Sequence, residues 1–308
     1  MGTKTAAILL TACLLLSACA APKPESAVIS NNQTHTTSET SNNTDKGLGA
    51  ASSPTNNSEQ AGSNHGNNLI AQTTPQTGKT VADSNEATNS TDTVNKTYHW
   101  DKAYNVVPNQ QEAEKKIVLL TFDDGPKVAV MINKIIDILD KHKAKAIFFV
   151  NGYRVKEHPE QLKLIHDRRQ PIGNHSWDHV VLKNKSEAEV KKQIESVQKI
   201  VEETTGQTPV FFRPPHGAGG DVGRKVSKDY GLLYTTWSVG SLDWTMKKRQ
   251  PNKTDTILKN VTEQLHPGSN ILMHELPWTA EALDSLLTRL EQKGYQFVDP
   301  QSIEVPAS

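Results

Sequence analysis

The sequence predicts an α/β domain built on a parallel sheet and curling toward a barrel. From Tyr98 onward, strand-like apolar runs alternate with amphipathic helical stretches. Such β-then-α units repeat through the domain, and seven or so of them suggest a barrel. Titratable side chains also stand after one strand-like run after another, where a barrel would gather them on one face.

Ahead of that domain the 308-residue chain has a different character. Lys4 precedes an apolar run from Ala6 to Leu16, then Ser17-Ala18-Cys19. The run is too short to span a bilayer comfortably and reads as the core of a signal peptide, residues 1–18. Leu16-Ser17-Ala18-Cys19 resembles the bacterial lipoprotein signal, which implies a lipid anchor on Cys19. An ordinary secretory signal with an incidental cysteine is the alternative. Residues 19–97 are rich in Asn, Thr, Ser, Gly and Gln, and the segment from Ala20 to Thr97 has no aromatic residue. Such a segment cannot bury enough surface to offset the entropy of ordering, so a disordered tether is expected. The two cysteines, Cys13 and Cys19, both lie in the first 20 residues, which leaves the folded part without a disulfide, thiol nucleophile or cysteine-based metal site. With 34 basic against 34 acidic residues and no long basic run, a nucleic-acid surface has no electrostatic support. The expected protein is exported, membrane-tethered and monomeric.

Residues 98–308 form one domain of ordinary size. Ile117-Val118-Leu119-Leu120-Thr121-Phe122 reads as a buried strand that ends in Asp123-Asp124-Gly125-Pro126. Val128 to His142 has helical spacing at Val130, Ile132, Ile135, Ile136 and Leu139, and Ala144 to Val150 is a second strand. Pro159 to Arg169 is helical, and Pro171-Ile172-Gly173-Asn174 leads into a short strand end. Ser186 to Thr205 is a long helix with a Ser186/Glu189 capping box and a Gly206 stop. Val210 to Phe212, Leu232 to Trp237 and Asn270 to Met273 are further strands. A helix over Ala280 to Lys293 and a strand over Gln296 to Val298 close the pattern.

Asp123 and Asp124 cannot both be cheaply buried as charges, and a bound cation would settle the conflict. Asp-Gly is also ordinary turn chemistry, so the decapeptide alone leaves a solvated turn open. The later strands decide, because they run into His175-Ser176-Trp177-Asp178-His179, Arg213-Pro214-Pro215-His216-Gly217, Asp243-Trp244 and His274-Glu275. His175 and His179, four apart, fit one side of a helical turn. With Asp124 they make a two-histidine, one-carboxylate set that leaves an open position for water and substrate. Asp123 could then serve as base and His274 as acid, which suffices for amide or ester hydrolysis. His142, His158, His166 and His266 read as solvated.

Thr121 to Pro126, His175-Ser176-x-x-His179, Arg213-Pro214-Pro215-x-Gly217, Asp243-Trp244 and Leu272-Met273-His274 resemble the five ordered motifs of the polysaccharide deacetylases. These are the family 4 carbohydrate esterases, or NodB-homology domains. The resemblance covers Lys116 to Pro300 and implies a distorted (β/α) barrel of about seven strands. It also implies metal-dependent removal of N-acetyl groups from an amino-sugar polymer. Carried over, Asp123 is the catalytic base, and Asp124, His175 and His179 are the metal ligands. Arg213 holds Asp123 in place, and His274 is the acid with Asp243 as its partner. Trp244 and Leu272 wall the acetyl pocket, and the backbone N–H at His216 helps to stabilise the oxyanion. Zinc suits the donor set best, with cobalt, nickel or manganese as alternatives.

Two positions depart from the family pattern. His216 stands where an aromatic Tyr or Trp is usual, and Gly240 stands where an earlier Asp is often found. Anchoring with a long tether favours a wall polymer, so peptidoglycan N-acetylglucosamine is the first expectation. Chitooligosaccharide, O-acetyl-xylan and a non-catalytic glycan-binding pseudoenzyme are the alternatives.

Overall fold

A computed structural model describes residues 94–305 of the chain. The expected signal peptide, Cys19 and the tether as far as residue 93 lie outside the described residues. Among the described residues, no helix is long and apolar enough to cross a membrane.

Two short strands, β1 (Tyr98–Trp100) and β2 (Val106–Pro108), form an antiparallel ribbon. At three residues each they are too short to show a period, and sequence pattern does not signal them. Next come β3 (Ile117–Gly125), α1 (Ala129–Lys141), β4 (Ala146–Val150), α2 (Gly152–Glu157), α3 (Pro159–Asp167) and β5 (Ile172–Asn174). They are followed by α4 (Glu187–Thr205), β6 (Phe211–Phe212), α5 (Gly220–Asp229), β7 (Leu233–Tyr234) and β8 (Val239–Gly240). The order ends with α6 (Lys253–Gln264), β9 (Ser269–His274), α7 (Pro277–Gln292) and β10 (Gln296–Phe297). Seven strands pair in parallel in the order β7-β6-β5-β4-β3-β9-β8, and β10 pairs with the start of β3. The sheet curls into a half-barrel with its helices outside. It is the distorted (β/α) barrel that the sequence predicts.

The period of two along the central strands explains why the site sits where it does. On β3, Val118, Leu120 and Phe122 pack outward with Ile132, Ile135, Ile136 and Leu139 of α1 and with Leu283, Leu286 and Leu287 of α7. Ile117 and Leu119 alternate with them and join Ile147, Phe149, Phe211 and Val298 in a separate inner cluster. The next residues in that inward register are Thr121 and Asp123. The lower barrel is thus an apolar plug and the upper barrel a polar site. β9 repeats the scheme, with Ile271 and Met273 in the outer core and Asn270, Leu272 and His274 in the other register.

Three expectations need correction. The Leu232 to Trp237 strand is shorter than its apolar pattern, and Val239–Gly240 is a separate strand at the opposite edge of the sheet. Residues 235–238 cross the open side between them, and the Thr236 carbonyl finds side-chain partners instead of a neighbouring strand. It accepts from Arg213 Nη2 at 2.7 Å and Asn270 Nδ2 at 3.1 Å. Val130 is 79% exposed and does not belong to the buried stripe of α1. His142 is not solvated: its side chain is 6% exposed, with Asp284 Oδ1 and Glu291 Oε2 each 3.0 Å from its ring nitrogens. That contact ties the end of α1 to α7.

The α4 capping box is present. Ser186 Oγ accepts from Glu189 N–H, Glu189 returns the bond to Ser186 N–H, and Gly206 ends the helix at φ 75°. Val190, Ile194, Val197 and Val201 bury its inner face.

Candidate active site

The upper barrel brings together the acids and histidines that sequence separates by as much as 150 residues. β3 and β9 pair in register, with Asp123 opposite His274. Past that pair β3 shifts register, and Asp124 adopts a left-handed backbone at φ 65°. Its carboxylate turns toward the loop that follows β5.

That loop is not the expected helical turn. Residues 175–179 are irregular, and Ser176 and His179 take φ of 67° and 55°. Asn151 holds the loop by donating from Nδ2 to the His175 carbonyl at 2.9 Å. The histidines nonetheless converge. His179 Nε2 is 3.1 Å and His175 Nε2 3.5 Å from Asp124 Oδ1. His175 Nδ1–H donates to the Arg213 carbonyl at 2.7 Å, which fixes the tautomer with the Nε2 lone pair turned to Asp124. Burial lowers the His175 imidazole from its ordinary value despite the nearby Asp123 and Asp124, which favours that neutral ligand form. Burial works to raise the Asp124 carboxyl, but the imidazoles of His179 and His175 outweigh it and hold the group well below the usual carboxylate range.

These three groups fit a divalent cation. One donor atom from each lies within 4.8 Å of the others. The two Asp124–histidine separations, 3.5 and 3.1 Å, bracket about 3.4 Å, the edge of a tetrahedron whose ligand bonds are about 2.1 Å. Asp124 Oδ1 is buried without an aligned hydrogen-bond partner, although His179 lies beside it. Asp124 Oδ1 thus faces both imidazoles from a buried position, as a ligand oxygen would.

Asp123 is 2% exposed, and its Oδ1 accepts from Arg213 Nη1 at 2.7 Å. Arg213 is wholly buried. It also donates to Thr121 Oγ1 at 2.8 Å and stacks its guanidinium 4.2 Å from the Phe149 ring centroid. Asn270 Oδ1 accepts from Arg213 Nη2 at 3.3 Å.

His274 Nδ1–H donates to Asp243 Oδ1 at 2.8 Å, while Asp243 Oδ2 accepts from His274 N–H and Thr279 Oγ1, each at 2.7 Å. His274 Nε2 then faces the centre, 4.0 Å from Asp124 Oδ2. Burial works to lower the His274 imidazole, but the hydrogen bond and charge of Asp243 prevail and raise it above its ordinary value.

Leu272 is buried, and Trp244 is half-exposed with its ring 5.2 Å from that of His274. His216 is exposed at φ 57°, its ring 4.7 Å from that of His179. A Cβ at Gly240 would meet Trp244, Leu242 and Trp237 at ordinary contact distance. The expected residues therefore fall at one end of the sheet, where Asp123, Asp124, His175, His179 and His274 converge with Arg213 and Asp243 behind them. Thr121, Asn151, Asn270, Thr279 and Glu275 complete the site. Trp278 donates from Nε1 to the Asp243 carbonyl at 2.9 Å. Among these, Thr121 and Asn270 carry a sequence signal, as polar residues breaking buried strands.

Residues 110–235 match the family model described as polysaccharide deacetylase. The chain is 38% identical over 204 residues to the peptidoglycan-N-acetylmuramic acid deacetylase PdaC of Bacillus subtilis, covering 66% of this chain and 41% of that protein. It is 38% identical over 194 residues to the peptidoglycan-N-acetylglucosamine deacetylase PgdA of Listeria monocytogenes, covering 62% of this chain and 40% of the relative. The chain thus spans about two fifths of the length of these curated relatives. The solved PdaC structure matches with a TM-score of 0.54 at 37% identity, over 60% of this chain and 88% of that one. The crystal structure of a family 4 carbohydrate esterase pseudoenzyme from Bacillus anthracis matches with a TM-score of 0.56 at 34% identity, over 60% of this chain and 63% of that one. With ordered motifs, barrel and relatives in agreement, the chain belongs to the polysaccharide deacetylase family.

Proposed function

We propose that the protein hydrolyses N-acetyl groups from an amino-sugar polymer, releasing acetate and leaving a free amine, with peptidoglycan N-acetylglucosamine as the first substrate. The observation that carries this reading is the convergence, on one barrel end, of a buried acid–arginine pair, a three-donor cluster and a histidine braced by a second acid. A binding module needs none of the proton-transfer groups.

Asp124, His175 and His179 would hold a divalent cation, zinc by the balance of two nitrogens and one oxygen. When bound, the cation lowers the pKa of water and polarises a carbonyl oxygen. Asp123, held by Arg213, takes the proton of the attacking water. His274 keeps its proton on Nε2 through Asp243 and gives it to the departing amide nitrogen. The proton released at the base and the proton supplied by the acid balance the hydrolysis. Trp244 and Leu272 border the place of the acetyl methyl, and the His216 N–H is the expected oxyanion donor.

We further propose residues 1–18 as a signal peptide, Cys19 as the lipid attachment point, residues 19–97 as the tether and residues 98–308 as the catalytic domain of a monomer that is exported, lipid-anchored to the cell membrane and faces the cell wall. The relatives' names support a wall substrate and divide between the two peptidoglycan sugars. Acetate release from peptidoglycan, chitin oligomers and acetylated xylan tests the reading. It should be strongest on peptidoglycan, vanish with chelator and be absent in Asp123→Asn. No release from any acetylated glycan by folded, metal-loaded protein would favour a pseudoenzyme.

A further inference from the structure

Glu275 is a buried carboxylate at the centre that the proposed reaction leaves without a task. It follows His274, is 1% exposed, and accepts from the Lys127 backbone N–H through Oε2 at 2.9 Å. Its carboxyl group also occupies the space in front of Gly125. A Cβ on Gly125 would overlap Glu275 Oε1 and come within 2.8 Å of its Cδ, and no other residue supplies the nearest obstacles. Gly125 has no left-handed backbone, so Glu275 is what requires a glycine there.

The turn that Glu275 touches needs outside support. Asp124 stands just before Gly125 with φ 65°, a conformation that a non-glycine residue keeps only where its surroundings impose it. One restraint is the bond from Asn151 N–H to the Gly125 carbonyl at 2.9 Å. Glu275 provides the second from the opposite side, at Lys127. We propose that Glu275 is a positioning residue: by filling the space at Gly125 and accepting from Lys127 N–H, it locks the turn that aims the Asp124 carboxylate at His175 and His179. The inference rests on the reading of Asp124 as a metal ligand. Burial pushes the Glu275 carboxyl up to about 7 against the Lys127 hydrogen bond. A neutral side chain of the same shape is therefore compatible with the site.

The test is cobalt titration of the metal-free full-length protein, followed by visible absorption and calorimetry, with melting curves to establish folding. It uses no substrate, so its failure is separate from any failure of the deacetylase reading. Glu275→Gln keeps the shape and the acceptor and should bind cobalt within about threefold of the parent, with the same absorption bands. Glu275→Asp keeps the charge but withdraws the acceptor, and should weaken binding about tenfold or more with altered bands. Gly125→Ala should weaken it likewise by displacing Glu275, so Gly125→Ala/Glu275→Ala should bind no more weakly than Glu275→Ala alone. If Glu275→Asp does not fold, this Gly125 pair decides. Parent-like cobalt binding in Glu275→Asp, equal losses in Gln and Asp, or losses at Gly125 and Glu275 that multiply in the double variant would each overturn the proposal.

Discussion

Arg213 and Asp123 form a buried ion pair at 2.7 Å, and the same guanidinium ties Thr121 on β3 to the Thr236 carbonyl on the segment crossing the barrel's open side. One side chain therefore orients the proposed base and closes the fold around it. Arg213→Ala leaves Asp123 as an unpaired buried carboxylate, a loss of about 3–5 kcal/mol. Arg213→Lys keeps the charge but cannot serve Asp123, Thr121, the Thr236 carbonyl and Asn270 together. We expect Arg213→Ala to unfold at markedly lower denaturant and Arg213→Lys to remain folded with kcat reduced at least tenfold. Parent-like kcat in Arg213→Lys would show that charge alone suffices.

Asp243 engages three donors, two of them from His274. Asp243→Asn preserves the shape but can present its amide nitrogen to His274, which selects the other tautomer. Loss of the general acid should lower kcat about 10²- to 10⁴-fold. Cobalt affinity should change little, since Asp243 borders no ligand directly. Comparing single-turnover rates with cobalt titrations separates the two. A matching fall in cobalt affinity would move Asp243 from the acid to the metal.

Chelation should abolish deacetylation, and added zinc should restore it. Because the cation binds the folded chain, removal should also lower thermal stability, by about 2.7 kcal/mol relative to protein held at a hundredfold excess over Kd. His175→Ala should lose both the activity and the stabilisation by zinc. Calorimetric melting with and without metal checks this, and an unshifted melting temperature would argue against a resident ion in the Asp124 cluster.

Much of this site was legible in sequence because the strands announce it. Ile117 to Phe122 fixes a buried strand, alternation sends Thr121 and Asp123 to the same face as Leu119, and the capping box of α4 is local chemistry. The strand near Leu232 was less legible, since an apolar run does not say which neighbour it pairs with, and β7 and β8 lie on opposite edges. The His175 to His179 spacing suggested a helical turn, whereas Ser176 and His179 reach left-handed backbone without a glycine to signal it. His142 looked solvated because its two acidic partners come from α7, some 140 residues later. Long-range polar pairing leaves no period for a sequence reading to detect.

His216 occupies the position where the motif resemblance leads one to expect an aromatic residue, and it sits exposed beside the donor cluster, its ring 4.7 Å from that of His179 at an interplanar angle of 70°. It is not part of the converging donor set of Asp124, His175 and His179. His216→Tyr would present a broader ring to a sugar face at the same backbone position. An aromatic contact of this kind is worth about 0.5–1.5 kcal/mol. KM on chitin oligomers should therefore fall about two- to tenfold, with kcat and cobalt affinity unchanged, because the ring would touch the sugar equally in ground and transition states. Steady-state kinetics on oligomers of increasing length would show it most clearly where an additional sugar reaches the ring. A loss of cobalt affinity in this variant would instead place His216 among the ligands, and an unchanged KM would remove it from the substrate contacts.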